Sequence, residues 1–195
     1  MNRLLGPIPA SALHMVVDMQ ELFRSHSDWG TPALTRIIPA IAKLVQARPS
    51  QAYFSRFIPA RNADAASGAW QRYYRRWSSV TLDAIDPSMV DVVPELQPMA
   101  TRLVDKTGYS AMGNPAFRQA AVSAGCLIVS GVETDVCVLS TVMEAMEAGV
   151  RILLPTDALA SSSDVCHDRA LGILHDRFDD QIELGTVDQI LAAWQ

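Results

Sequence analysis

Leu127-Ile128-Val129-Ser130-Gly131-Val132-Glu133-Thr134-Asp135-Val136-Cys137-Val138 is the stretch that decides the fold. Its opening Leu127–Val132 is almost unbroken in apolar, partly β-branched character, as a strand covered on both faces must be. Strand gives way to loop at Gly131, and an amphipathic pattern then runs from Thr134 to Ala148. Gly149 follows it, a residue suited to stopping a helix. Outward from this unit the rhythm repeats. Further candidate strands are Leu13–Met19, Ala52–Phe57, Arg102–Lys106, Arg151–Pro155 and Gln181–Leu184. Helical patterns lie between them. Pro32–Ala47 places Leu34, Ile37, Ile38, Ile41, Leu44 and Val45 on one face, and Pro115–Ala124 precedes the central strand. Another pattern starts near Ser163 or Asp164 and ends about Phe178, and Val187–Trp194 closes the chain.

Strands alternating with helices through short links call for a mainly parallel sheet with helices on both sides. The expectation is an α/β chain: a three-layer α/β/α sandwich with a six-stranded, Rossmann-like sheet. In such folds ligands collect beyond the carboxyl ends of the strands. The chain has 195 residues, enough for one domain with a full core, read here as residues 1–195. Acidic side chains outnumber basic ones by 21 to 16, so a phosphate-neutralising surface, and with it nucleic acid, is not expected. No segment is apolar for long enough to cross a membrane. Met1–Ala12 does not read as a signal peptide. Three cysteines, Cys126, Cys137 and Cys166, make neither a disulfide framework nor a paired zinc motif. The cytoplasm, where thiols stay reduced, is the expected compartment.

Residues 59–98 break the rhythm. Pro59, Gly68, Pro87, Pro94 and Pro98 punctuate the segment, and Trp70, Tyr73, Tyr74 and Trp77 fall at i, i+3, i+4 and i+7, an aromatic stripe at helical pitch. Excursions of this length are often lids or substrate walls. The same stripe could equally anchor the segment to the core or to a neighbouring subunit.

Three side chains at strand ends could do chemistry. Asp18, in Val16-Val17-Asp18-Met19-Gln20, leaves a buried strand as a helix cap, an ion-pair partner or a functional carboxylate. Lys106 ends the strand in Leu103-Val104-Asp105-Lys106; most lysines so placed are simply solvated. Cys137 falls in the first turn of a helix, where free amides and the dipole favour thiolate over thiol, although an ordinary buried cysteine is the commoner case. Together they put an acid, a cation and a thiol on one edge of the sheet. Cys126, opening a strand, and Cys166, within a helix, lack that advantage.

The blocks Val16–Phe23, Asp105-Lys106-Thr107-Gly108-Tyr109-Ser110 and Gly131–Val138 resemble, in order, the three signatures of the isochorismatase-like cysteine hydrolase superfamily, which includes nicotinamidases and N-carbamoylsarcosine amidases. Thr156-Asp157-Ala158 fits the same pattern. The resemblance implies a catalytic triad of Asp18, Lys106 and Cys137, and a non-proline cis peptide between Val132 and Glu133. It also implies an oxyanion hole from the amides of Glu133 and Cys137. The implied activity is hydrolysis of a small-molecule amide or ureide C–N bond through a Cys137 thioester. Phe23, Arg56, Trp70, Tyr73, Tyr74, Trp77 and Tyr109 are the candidate pocket walls. A homo-oligomer, dimer or tetramer, is expected by the same analogy, with a small-molecule substrate and no cofactor.

Departures narrow the reading. Nicotinamidases of the superfamily carry an Asp-x-His metal motif after the second strand, whereas this chain has Ser55-Arg56-Phe57-Ile58-Pro59 there. His14, His26, His167 and His175 show no pairing at metal spacing. No metal is therefore expected, and nicotinamide is disfavoured as substrate. A retained cysteine likewise disfavours ether hydrolysis. Glu133, at a position where the family often has a small residue, either faces the pocket toward a substrate amine or points outward as a helix-start carboxylate, and the second is preferred. Two rivals remain: a non-catalytic binding protein on the same fold, and a thiol redox protein whose resolving partner would be Cys126 or Cys166.

Overall fold

The computed structural model describes residues 4–24 and 27–195; His26, one of the histidines weighed above, lies outside them. In chain order the strands are β1 (Leu13–Val17), β2 (Ala52–Phe57), β3 (Leu103–Lys106), β4 (Cys126–Val132), β5 (Arg151–Pro155), β6 (Leu159–Ala160) and β7 (Ile182–Gly185). The helices are α1 (Leu34–Ala47), α2 (Gly68–Arg76), α3 (Pro115–Ala124), α4 (Leu139–Glu147), α5 (Asp164–Arg177) and α6 (Val187–Ala193). The sheet runs β3-β2-β1-β4-β5-β7, every pairing parallel, and the two-residue β6 pairs with β4. That short strand is the one addition to the six expected. Among the described residues no helix is long and apolar enough to cross a membrane.

Burial explains the order. All seven residues of β4 are buried, as the apolar run requires of a central strand. One core packs α1 and α6 against one face of the sheet, through Ile37, Ile41, Leu44 and Ile190 with Val16 and Ile128. A second packs α3, α4 and α5 on the other face, where Phe117, Val142 and Leu174 meet Met15, Leu127 and Val129. Helix α4 ends as its sequence suggests. Gly149 takes φ +79°, and the amides of Gly149 and Val150 bond back to the carbonyls of Met146 and Ala145.

The chain leaves β1 toward β2 on one side and returns through β4 on the other. The strand order therefore reverses between β1 and β4, and such a reversal opens a crevice at the carboxyl ends. The two strands approach closely there. Gly131, paired with Val17, has φ +109°, and a Cβ on it would stand 2.1 Å from the Val17 carbonyl oxygen. Only glycine fits. The next residue on β1's side, Asp18, takes φ +49°, a left-handed conformation that an Asp tolerates better than most residues.

Residues 59–98 fold as α2 with short 3-10 turns over the same end of the sheet. The segment is tied to the loop after β1 by the backbone bonds Glu21 N to Asp91 O and Val93 N to Met19 O. Gln20 reinforces it, donating to the carbonyls of Phe57 and Val90 while its own Oε1 accepts from the Phe57 amide.

Candidate active site

Asp18, Lys106 and Cys137 converge although they leave three different strands. Lys106 ends the edge strand β3, and its long side chain spans β2 to place Nζ 2.8 Å from Asp18 Oδ2. The contact is an ion pair whose angle is not that of a hydrogen bond. The same Nζ donates to Cys137 Sγ at 3.4 Å and to the Gly108 carbonyl at 3.2 Å. It also stands 4.9 Å from the centre of the Phe57 ring. The other Asp18 oxygen, Oδ1, accepts from Ser55 Oγ at 2.6 Å, and Ser55 Oγ in turn accepts from the Asp18 amide. Strand alternation puts Ser55 and Phe57 on this side of β2.

Both charges are buried: Asp18 is 0% exposed and Lys106 5%. Burial works against the Lys106 charge, but the Asp18 carboxylate, with help from Cys137, holds the ammonium above its usual range. Cys137 goes the other way from the sequence expectation. Burial pushes its thiol well above the ordinary value and the Asp18 carboxylate adds to this, while Lys106 pulls it down without prevailing. Burial and the neighbouring carboxylate thus favour the thiol, against the thiolate that a helix start alone would favour. Local structure differs too. Thr134–Val138 is one π-helical turn preceding α4, and the Glu133 carbonyl accepts from the amides of both Val136 and Val138. The Val132–Glu133 peptide is cis.

Cys137 opens into a cavity of about 310 Å³. Of the residues expected as walls, Phe23, Tyr73, Trp77 and Tyr109 line it, whereas Arg56, Trp70 and Tyr74 do not. Arg56 alternates to the opposite face of β2, where it forks onto Asp105 at 2.7 and 2.9 Å and reaches Asp91 at 3.5 Å. The stripe on α2 splits into two rows of i, i+4 neighbours. Tyr73 and Trp77 turn to the cavity; Trp70 and Tyr74 turn to a groove beside Thr107 and Gly108, where Trp70 packs 4.9 Å from the Tyr109 ring. Tyr74 is 2% exposed and functions as an anchor.

Other wall residues escaped the sequence reading. Trp29 is central, its ring 6.0 Å from Phe23, 5.6 Å from Phe57 and 5.8 Å from Tyr73. Phe57, Asp28, Gly30, Val136 and Ser162 line the cavity as well. The signal for Asp28-Trp29-Gly30 was their place just past the Asp18 strand end, on the edge where ligands gather. Glu133 corrects a preference stated above: it lines the cavity rather than pointing outward. Thr31 Oγ1 donates to its Oε1 at 3.1 Å and the Ser162 amide at 2.9 Å, which hold the carboxylate inward.

The stretch that stands where metal-binding relatives carry ligands offers little to an ion. The Ser55 hydroxyl is committed to Asp18, and Phe57 gives a ring. Among the described residues no three His, Cys, Asp or Glu side chains are grouped to hold a metal.

Comparison with known proteins agrees with this architecture. Nicotinamidase 3 of Arabidopsis thaliana is 27% identical over 176 residues, spanning 87% of this chain and 83% of that protein. A cysteine hydrolase from Pseudomonas syringae pv. phaseolicola 1448A superposes with a TM-score of 0.80 at 22% identity, over 99% of this chain and 96% of its own. The pyrazinamidase of Pyrococcus horikoshii, solved in complex with zinc, gives a TM-score of 0.70 at 17% identity over 90% and 99% of the two chains. A family model described as Isochorismatase domain matches residues 12–185. With that match over most of its length, the chain belongs to the isochorismatase family of hydrolases.

Proposed function

We propose that this chain is a cysteine hydrolase that cleaves the C–N bond of a small amide or ureide through a thioester on Cys137. The observation that carries the reading is the convergence of a buried carboxylate, ammonium and thiol at one wall of a small cavity. Asp18 takes the thiol proton as Sγ attacks the substrate carbonyl carbon. A neighbouring base is needed because burial keeps that proton on sulfur at neutral pH. Lys106 stabilises the negative charge as it moves between oxygen and sulfur. The amides of Glu133 and Cys137 act as donors to the developing oxyanion. Asp18 then returns its proton to the departing ammonia or amine. Water, deprotonated by the same carboxylate, cleaves the thioester and restores the thiol.

The reading includes metal independence, supported by the chemistry of Ser55 and Phe57, and a homo-oligomeric assembly of 21.3 kDa chains. It also includes a reducing, cytoplasmic setting, which three free cysteines suit. As a resolving partner for thiol transfer Cys126 is disfavoured, because it starts β4, about 20 Å of strand away from the site end.

Ammonia release from a panel of amides and ureides, nicotinamide included, tests it. Turnover of at least one member is expected, lost in Cys137→Ala and kept in Cys126→Ala and Cys166→Ala. Wild-type turnover by Cys137→Ala would overturn the reading. Dialysis against a chelator is expected to leave turnover and Tm unchanged; stoichiometric metal whose return alone restores activity would refute that part.

A further inference from the structure

From the charge and the rings of the cavity we infer that the acyl portion of the substrate carries a positive charge, as an ammonium, a quaternary amine or a guanidinium. The inference rests on taking the Cys137 cavity as the substrate site.

Two carboxylates line this cavity, Glu133 and Asp28, and Lys106 is kept out of the balance by its pairing with Asp18. No Arg or Lys is among the lining residues. Arg76 of α2 lies with its guanidinium 4.9 Å from the Trp77 ring and, with Arg72, lines an adjoining groove rather than this cavity. A neutral amide would need no such wall, and an acidic one would be repelled by it.

Glu133 is built for a partner. Its Oε1 is fixed by Thr31 and the Ser162 amide, while Oε2 has no hydrogen-bond partner among the described residues. Asp28 is similar at the rim: Ser79 Oγ donates to Oδ2, and Oδ1 is unbonded among the described residues. Between these carboxylates and the sulfur the walls are aromatic: Phe23, Trp29, Phe57, Tyr73, Trp77 and Tyr109. Ring faces attract cations electrostatically, more strongly where water is excluded, and aromatic enclosures of this kind recognise quaternary amines. Carboxylates and rings thus favour the same ligand charge. Glu133 immediately precedes the π-turn that carries Cys137 and both line this cavity, so the charged group and the scissile carbonyl share one small enclosure.

The test compares 4-(trimethylammonio)butanamide with its uncharged carbon isostere, 5,5-dimethylhexanamide. The two share shape and amide and differ only in charge. Binding is read from Trp29 and Trp77 fluorescence in Cys137→Ala, which lacks the nucleophile, so the outcome does not depend on the hydrolase reading. The cation is expected to bind at least about tenfold more tightly. Adding Glu133→Gln, which removes the charge and keeps an acceptor for Thr31, is expected to erase most of that preference; Asp28→Asn should erase less. Equal binding of the two probes, tighter binding of the neutral one, or no binding of the cation overturns the inference. Should Glu133→Gln fail to fold, the two probes on Cys137→Ala alone decide. Ammonia release from the neutral probe with no preference for the cation would leave the hydrolase standing and this inference fallen. A cation preference in a protein that turns over no amide would do the reverse.

Discussion

The carboxyl ends of β1, β3 and β4 and the excursion over residues 59–98 face the same cavity but are built on opposite plans. The strand ends are buried and over-determined. Asp18, Lys106 and Ser55 satisfy one another inside a parallel sheet, and no single side chain there can move without leaving a buried charge. The excursion is a layer of rings on a nine-residue helix, half of it anchoring and half lining. Chemistry that must be held to a fraction of an ångström belongs on the first plan. Selection among acyl groups can be left to the second, whose rings can be exchanged without touching Asp18, Lys106 and Cys137.

Breaking the strand-end network tests the contrast most severely. Asp18→Asn leaves the buried Lys106 ammonium unpaired, so stability should fall by about 3–5 kcal/mol. If Asp18 is the base proposed above, its loss should lower kcat by about 10²–10⁴. Denaturant titration and turnover assays read the two losses. A variant with wild-type stability would show that the pair is not part of the scaffold.

Acid tests the same region one layer deeper. His14 is fully buried beside Ser130, its Nε2 2.8 Å from Ser130 Oγ, and burial lowers its pKa to about 3. Its folded value is depressed below the unfolded 6.5, so the unfolded chain binds the extra proton first. The associated stability is complete above pH 6.5 and is lost as pH falls toward 3, by about 5 kcal/mol at most. Tm measured across this window should drop more steeply for the wild type than for His14→Gln. Parallel curves would remove His14 from the acid limb.

On the excursion, the two rows of the stripe should separate. Tyr74→Ala is expected to cost about 3–5 kcal/mol and leave the ranking of substrates unchanged. Trp77→Ala should cost less stability and alter kcat/KM unequally across acyl groups. Arg56→Ala, which breaks only the partly exposed pairs with Asp105 and Asp91 on the far face, should change stability by about 1 kcal/mol or less and turnover not at all. Melting and a substrate panel decide each. If Trp77→Ala behaved like Tyr74→Ala, the split between anchor and wall would be wrong.

The same contrast governs what could be read from sequence. The ends of β1 and β4 are legible because burial on both faces leaves an apolar run, and Asp18 stands just past the first; Lys106 ends the half-exposed edge strand β3, and Cys137 lies five residues beyond β4. The fold came with them, down to Gly149. Rings are legible as a stripe but not as a direction. Period 3.6 groups Trp70, Tyr73, Tyr74 and Trp77, yet whether a row faces the cavity or the Thr107–Gly108 groove depends on how α2 docks, which is a tertiary matter. Arg56 shows a period-2 error of one residue: Ser55 and Phe57 face the site and Arg56 cannot. Glu133 turned inward because Thr31 and Ser162, 102 and 29 residues away, supply donors no local pattern reveals. The Cys137 thiol was misjudged for a related reason. A helix start argues for thiolate, but burial against Asp18 outweighs it, and that carboxylate comes from another strand.

Mass spectrometry of acid-quenched enzyme during turnover of a slow amide tests the central claim most directly. A covalent acyl adduct should appear on the peptide carrying Cys137, with the mass of the substrate less ammonia, and should be released by hydroxylamine and absent from Cys137→Ala. Steady ammonia release with no adduct on Cys137, or an adduct on Cys126 or Cys166 instead, would contradict the account.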